Sequence, residues 1–308
     1  MLDQESQALL KEMEERDIPA WPDLPLNFAR KVFTLMNDYS GERLEMQTVD
    51  AVLDDEIRIR RYLPEGLDNP APTVVYFHGG GWVLGDLDSH DQVCRVLARE
   101  SMSQVIAVDY RRPPENRFPI APQDCFAALR SIVSRAEELS VCPENLFLAG
   151  DSAGGHLAIS VALQALETDG IDIRGLVLFY PVIRPDFSSS SYERFAEGFG
   201  LTRKTMEWFW KQYLGEDLSV THPWINPTKA ASRPDFPATA IFLAECDVLH
   251  DEGEEFALAL RKAGGEVAIH EFPGVIHGFI HFMGRISSGK LAIEEAGRFV
   301  DSLIPRRG

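Results

Sequence analysis

Three residues carry the chemistry this chain advertises: Ser152, within Gly150-Asp-Ser-Ala-Gly154, and Asp247 and His277, which follow it in that order. A serine hydroxyl is a weak nucleophile at neutral pH. It needs a base to take its proton, an acid to orient that base, and N–H donors for the oxyanion formed when it attacks a carbonyl. Gly-x-Ser-x-Gly is the pattern of a nucleophile elbow, a sharp strand-to-helix turn that side chains two residues from the serine would crowd. An apolar run at residues 145–149 and helical spacing over 156–166 supply the strand and the helix. The Ala153 N–H, at the start of that helix, is then placed to face an oxyanion.

The acid and the base are sought after the serine, at strand ends. Asp247 lies three residues beyond the apolar run 240–244, in a loop before a helix that begins near Asp251. Glu245 and Asp251 are its rivals, with plain readings as a strand-edge residue and a helix N-cap. Among eight histidines, His78, His90 and His156 are set aside by order or by lying on the elbow helix, and His250 by closeness to the acid. His222 falls in an insert and His270 inside a strand over 266–272. His277 follows that strand in a glycine-containing loop, 30 residues after Asp247, which is one helix, one strand and their turns. His281 is the remaining competitor and is expected to pack on the terminal helix. His78-Gly-Gly-Gly81 directly follows the strand-like run 74–77, so the N–H groups of Gly80 and Gly81 can join Ala153 as oxyanion donors.

A sheet must hold these groups together. Residues 46–52 and 57–63 alternate apolar and polar, as an antiparallel pair at a sheet edge does. The later runs 74–77, 105–108, 146–148, 176–180 and 241–244 are continuously apolar, as strands covered on both faces must be. Helical segments at 90–100, 122–139, 154–166 and 252–263 fall between most of them, with a closing helix over 291–303. The alternation predicts an α/β fold, a mostly parallel doubly wound sheet, built from residues 46–181 and 236–308.

Residues 182–235 break that rhythm with a serine run at 188–191 and a concentration of aromatics, Trp208-Phe-Trp210 and Tyr213. The insertion follows a central strand, so it is expected above the carboxyl edge of the sheet as a cap. Residues 1–45, with helical signals over 4–16 and 26–39 and apolar Trp21, Phe28, Phe33 and Met36, are expected to form the other half. Trp82, Asp151, Trp208 and Phe209 are the candidate substrate-binding residues. The aromatics suit either a confined apolar pocket or the core of the cap.

The 308 residues, 45% hydrophobic, can bury one large core. A net charge of -18 opposes nucleic acid or an anionic membrane surface as partner. No run reaches the roughly 18 apolar residues of a membrane span, and the N-terminus is acidic where a secretory signal is basic, so a cytoplasmic protein is expected. Cys94, Cys125, Cys142 and Cys246 form no C-x-x-C pair, so neither a metal nor a disulfide framework is expected, and no cofactor.

His78-Gly-Gly-Gly81, Gly150-Asp-Ser-Ala-Gly-Gly155, Asp247-Val-Leu-His-Asp-Glu-Gly253 and His277-Gly-Phe279 together resemble the bacterial hormone-sensitive-lipase family of carboxylesterases. Gly85-Asp-Leu-Asp-Ser-His90 is nearest to its acetyl esterase branch. The similarity runs from about residue 45 to the C-terminus and fades in the two cap segments. The resemblance implies an α/β-hydrolase fold, a Ser152-Asp247-His277 triad, an oxyanion hole from Gly80, Gly81 and Ala153, a two-part cap, and often a homodimer. Arg112-Pro-Pro114 stands where the family has Leu-Ala-Pro, and Val248 where proline is common. Neither departure touches a triad position. The implied reaction is hydrolysis of a small-molecule ester of short acyl chain through an acyl-enzyme. An amidase or lactonase would use the same residues, and a non-catalytic small-molecule receptor can stand on the same fold.

Overall fold

The continuously apolar runs become the middle of an eight-stranded sheet. A computed structural model describes residues 1–16, 19–168 and 170–305. Its strands are β1 (Gln47–Val52), β2 (Arg58–Leu63), β3 (Ala71–Phe77), β4 (Gln104–Asp109), β5 (Val141–Asp151), β6 (Gly175–Phe179), β7 (Ala238–Cys246) and β8 (Val267–Ile276), in the spatial order β1-β2-β4-β3-β5-β6-β7-β8. β1 and β2 are antiparallel, with Val49 opposite Arg61, and β2 is antiparallel to β4. All the remaining pairs are parallel.

Val74, Val75, Tyr76 and Phe77 of β3 are fully buried, as are Phe147 and Leu148 of β5. That explains why those strands lack alternation while edge strand β1 keeps it. Two helix pairs cover the sheet: Asp91–Ser101 against Ser287–Leu303, and Ile120–Ser134 against Ala153–Leu166. The first pair meets at Gly297, where a Cβ would lie 2.4 Å from the Glu100 carbonyl oxygen. Two expected helices are shorter than their apolar pattern. The one over 26–39 runs as Leu26–Leu35 and then tightens into a 3₁₀ turn at Met36–Ser40; the one over 122–139 divides into Ile120–Ser134 and Ala136–Leu139.

Residues 182–235 carry three helices, Ser190–Arg194, Arg203–Leu214 and Thr228–Ala231. The N-terminal segment contributes Gln4–Glu15, capped by Asp3, and is tied to the far edge of the sheet by the Asp3 N–H on the Gly274 carbonyl at 2.9 Å. Phe28, one of the apolar residues that mark the N-terminal segment, is 53% exposed. Among the described residues no helix is long and apolar enough to cross a membrane.

Candidate active site

β5 ends at Asp151 and the next helix begins at Ala153, leaving Ser152 at the corner with φ 53° and ψ -119°. A residue with a side chain holds such a backbone only when its surroundings over-determine it. Here the Ser152 N–H donates to the Phe179 carbonyl at 2.9 Å, and its own carbonyl accepts from Val182 at 3.1 Å and His156 at 3.2 Å. The flanking glycines are required by close approach. A Cβ on Gly150 would stand 2.3 Å from the Gly154 carbonyl oxygen, and one on Gly154 would stand 1.9 Å from that of Phe77.

His277 follows β8 and Asp247 follows β7, at the carboxyl ends of two adjacent strands. His277 Nε2 lies 3.0 Å from Ser152 Oγ, and its Nδ1 lies 2.6 Å from Asp247 Oδ2. The other Asp247 oxygen accepts the Leu249 N–H at 3.0 Å, and the carboxylate is 2% exposed. The rival acids face elsewhere. Glu245 accepts the Gly274 N–H at 2.7 Å, and Asp251, one residue inside the helix His250–Lys262 rather than at its N-cap, accepts the Ser191 N–H at 2.8 Å.

Gly80 and Gly81 adopt φ of +91° and +59°, in the left-handed region that favours glycine. Neither N–H is bonded to a protein acceptor among the described residues. Both glycines border a cavity of about 180 Å³ that also takes in Ser152 and His277. Its walls are apolar and come from two distant parts of the chain: Met13, Trp21, Phe33 and Met36 from the N-terminal segment, and Leu201, Met206 and Phe209 from the insertion. Trp21, Phe33 and Met36 stand out in the sequence as apolar residues of the expected N-terminal cap segment; Met13 does not.

Of the four candidate substrate-binding residues, Phe209 reaches the cavity, with its ring so close over Gly81 that a Cβ there would be 2.1 Å away. Trp82 is corrected. It is fully buried, stacked on Tyr213 at 4.3 Å and 4° and packed on Trp210 at 4.5 Å, and it does not line the cavity. It is the platform on which the helix Arg203–Leu214 sits. Trp208 is half-buried, packs on Phe209 at 5.1 Å, and also stays out of the cavity.

Asp151 borders the cavity, with its carboxylate turned into the protein and 2% exposed. Oδ1 accepts the Tyr76 hydroxyl at 2.7 Å and the Gly79 N–H at 3.0 Å; Oδ2 lies 3.1 Å from His281 Nε2, and His90 Nε2 is 3.2 Å from Oδ1. Burial works against the charge, yet the His90 and His281 rings and their hydrogen bonds hold this carboxyl well below the usual carboxylate range. His281, expected on the terminal helix, is instead part of this cluster. Its ring meets His90 edge-on at 4.3 Å. Among the described residues, His90, Asp151 and His281 are the set whose donor atoms are close enough together for a metal. The Gly79 N–H aimed at the same atoms is a donor that a cation would have to displace, so hydrogen bonding accounts for the cluster. Beside it, burial lowers the His78 imidazole to about 3, which keeps that ring neutral.

Residues 74–281 match the profile of a family described by its α/β hydrolase fold. The chain is 38% identical over 242 residues to an ethyl acetate hydrolase of Pseudomonas putida, covering 77% of this chain and 74% of that protein. A solved ester hydrolase from the Lake Arreo metagenome, EH1AB1, superposes with a TM-score of 0.93 at 34% identity, covering 98% of this chain and 99% of that one. The gibberellin receptor GID1A of Arabidopsis thaliana is also similar, at 33% over 216 residues, covering 68% of this chain and 62% of the receptor. These likenesses and the sheet, elbow and glycine loop described above make the chain a member of the α/β-hydrolase fold family, in its hormone-sensitive-lipase-like branch.

Proposed function

We infer that the protein is a serine carboxylesterase acting on small esters. The observation that carries the reading is the hydrogen-bonded line Ser152 Oγ, His277 Nε2, His277 Nδ1, Asp247 Oδ2, at 3.0 and 2.6 Å, opening into an apolar cavity beside two unpaired glycine N–H groups. Ser152 Oγ attacks the ester carbonyl carbon as His277 Nε2 takes its proton. Asp247 accepts from Nδ1–H and steadies the imidazolium. The N–H groups of Gly80, Gly81 and Ala153 receive the tetrahedral oxyanion. Its collapse expels the alcohol, protonated by His277, and leaves an acyl-Ser152. Water, deprotonated by the same nitrogen, then releases the acid.

Residues 1–45 and 182–235 act as a two-part cap over the hydrolase domain of residues 46–181 and 236–308. A cavity of about 180 Å³ is small beside the roughly 300–1,000 Å³ typical of ligand sites, which supports short acyl groups. Hydrolysis of p-nitrophenyl esters from acetate to dodecanoate tests both points. Turnover is expected to be highest on the short esters, and Ser152→Ala to reduce it by on the order of 10⁶. A preference for long chains refutes the size reading, and near-normal turnover in the variant refutes the nucleophile. The likeness to a receptor names the other outcome: ligand binding with no turnover of ester or amide.

A further inference from the structure

We propose that His90 and His281 are positioning residues for the oxyanion loop. With Tyr76 they clamp the Asp151 carboxylate, which holds the Gly79 N–H and so keeps the N–H groups of Gly80 and Gly81 turned toward Ser152. The proposal rests on the reading of Ser152 as nucleophile.

The loop has a problem its sequence does not solve. Three consecutive glycines can approach a substrate closely, but they also leave the chain more conformations than any other residues would. Oxyanion donors work only when fixed before the charge develops, within a few tenths of an ångström. Something outside the glycines must therefore hold them.

β3 and β5 are neighbours with Phe77 opposite Gly150, which brings Gly79 against Asp151. The contact is close enough that a Cβ on Gly79 would fall 2.3 Å from Asp151 Oδ2. The Gly79 N–H donates to Asp151 Oδ1 at 3.0 Å, the same oxygen that His90 Nε2 approaches to 3.2 Å. On the other side of the residue the Gly79 carbonyl lies 2.9 Å from His78 Nδ1, whose ring stacks on Tyr110 at 4.2 Å. Gly79 is thus gripped at its donor and at its acceptor, one residue before the two oxyanion glycines.

The grip is itself braced. His90 Nδ1 lies 2.8 Å from Ser89 Oγ, which accepts the Asp86 N–H at 2.8 Å. The Tyr76 hydroxyl is given wholly to Asp151, at 2.7 Å. Asp151, His90, Tyr76 and His78 are all 2% exposed or less, and His281 is 8% exposed. A carboxylate so deeply buried persists as an anion only when paired, and Asp151 has partners on both of its oxygens, which fix its orientation. Asp151 is also the residue directly before the nucleophile, so the network ties the elbow and the oxyanion loop into a single rigid unit. An ion pair serving only the fold has no need to stand one residue from each.

The test uses His90, because it lies outside the cavity while His281 borders it. His90→Phe removes the ring nitrogens and keeps the bulk. His90→Gln returns an amide near the position of Nε2. Tyr76→Phe removes one donor from Asp151. With p-nitrophenyl acetate, His90→Phe is expected to lower kcat by roughly 10- to 100-fold with KM within about three-fold, part of the 10²–10³ lost when an oxyanion donor is deleted outright. The inhibition constant of a trifluoromethyl ketone, whose serine adduct carries the oxyanion, is expected to rise by the same factor. His90→Gln should recover most of kcat. Unchanged kcat and ketone binding, or a loss confined to melting temperature, overturns the proposal. Should His90→Phe fail to fold, Tyr76→Phe carries the comparison with His90→Gln as the conservative control, and parent-like kcat and ketone binding in Tyr76→Phe overturn it equally. An inactive parent protein sinks the esterase reading beneath it, a result distinct from active parent and active variants.

Discussion

Two buried carboxyl groups near the site are treated in opposite ways, and the difference lies in their partners. Asp151 has two hydrogen-bond donors on Oδ1 and two imidazoles within 3.2 Å, and burial is overruled. Glu252 is as deeply buried, but Oε1 accepts the Ile183 N–H at 2.7 Å, and among the described residues no imidazole stands beside it and Oε2 has no partner. Burial therefore dominates and, with Asp247 nearby, pushes this carboxyl well above its usual range against the opposing pull of the Ile183 N–H and Arg184. The folded protein keeps Glu252 protonated while the unfolded chain ionises it near 4.5. Its contribution to stability is thus full below that pH and falls as pH rises toward the raised folded value, by at most about 1.4 kcal/mol per pH unit. Glu252→Gln removes the titration from both states. Its melting temperature relative to the parent should climb between pH 4.5 and pH 8; a difference that stays flat across that window refutes the neutral carboxyl.

The helix Arg203–Leu214 shows how one element sets the volume of the site. Its start is fixed by Thr202, whose hydroxyl accepts the Thr205 N–H at 3.1 Å, and its end by Gly215 at φ +97°. Its buried side rests on Trp82 through Trp210 and Tyr213, which brings Phe209 down over Gly81. Phe209→Ala should enlarge the cavity and move the best substrate to longer acyl chains in the p-nitrophenyl series, at a cost of about 3 kcal/mol. That is the low end for a buried Phe→Ala, because one side of the ring already faces open space. An unchanged chain-length profile places the acyl group elsewhere.

At the scale of the whole molecule, the N-terminal segment is tied to the rest of the chain by side-chain contacts at several points. Arg30 donates to the Val83 and Pro113 carbonyls and pairs with Glu115 at 2.8 Å. Ser40 Oγ donates to the His281 carbonyl at 2.6 Å, and Glu5 accepts the Ser287 N–H at 2.8 Å. These anchors span both sides of the site, and between them lie Met13, Trp21, Phe33 and Met36. Deleting residues 1–40 removes that wall and should raise KM for p-nitrophenyl acetate by roughly ten-fold. That is about 1.4 kcal/mol, or roughly 55 Å² of apolar contact at 25 cal/mol/Å². A truncated protein that stays folded with parent-like KM shows that the N-terminal segment does not contact substrate.

Much of this protein is legible in its sequence because the constraints are local. Burial on both faces removes alternation from β3 through β7, and a sharp strand-to-helix turn leaves glycines around Ser152. Chain order then narrows the acid and base to Asp247 and His277, which stand within hydrogen-bond reach of one another and of the serine. What sequence spacing could not decide is which side chains face one another across elements far apart in the chain. Trp82 beside the glycine loop looked like a pocket wall and is packed under Trp210 and Tyr213. Asp151 beside the nucleophile looked like a substrate contact and is the centre of a buried network. His90 and His281, set aside as wrong by order or as packing, meet there across 191 positions of chain. Those placements depend on how the sheet, the N-terminal segment and residues 182–235 pack together, because a side chain's burial and hydrogen-bond partners are properties of the assembled core, and no local periodicity encodes them.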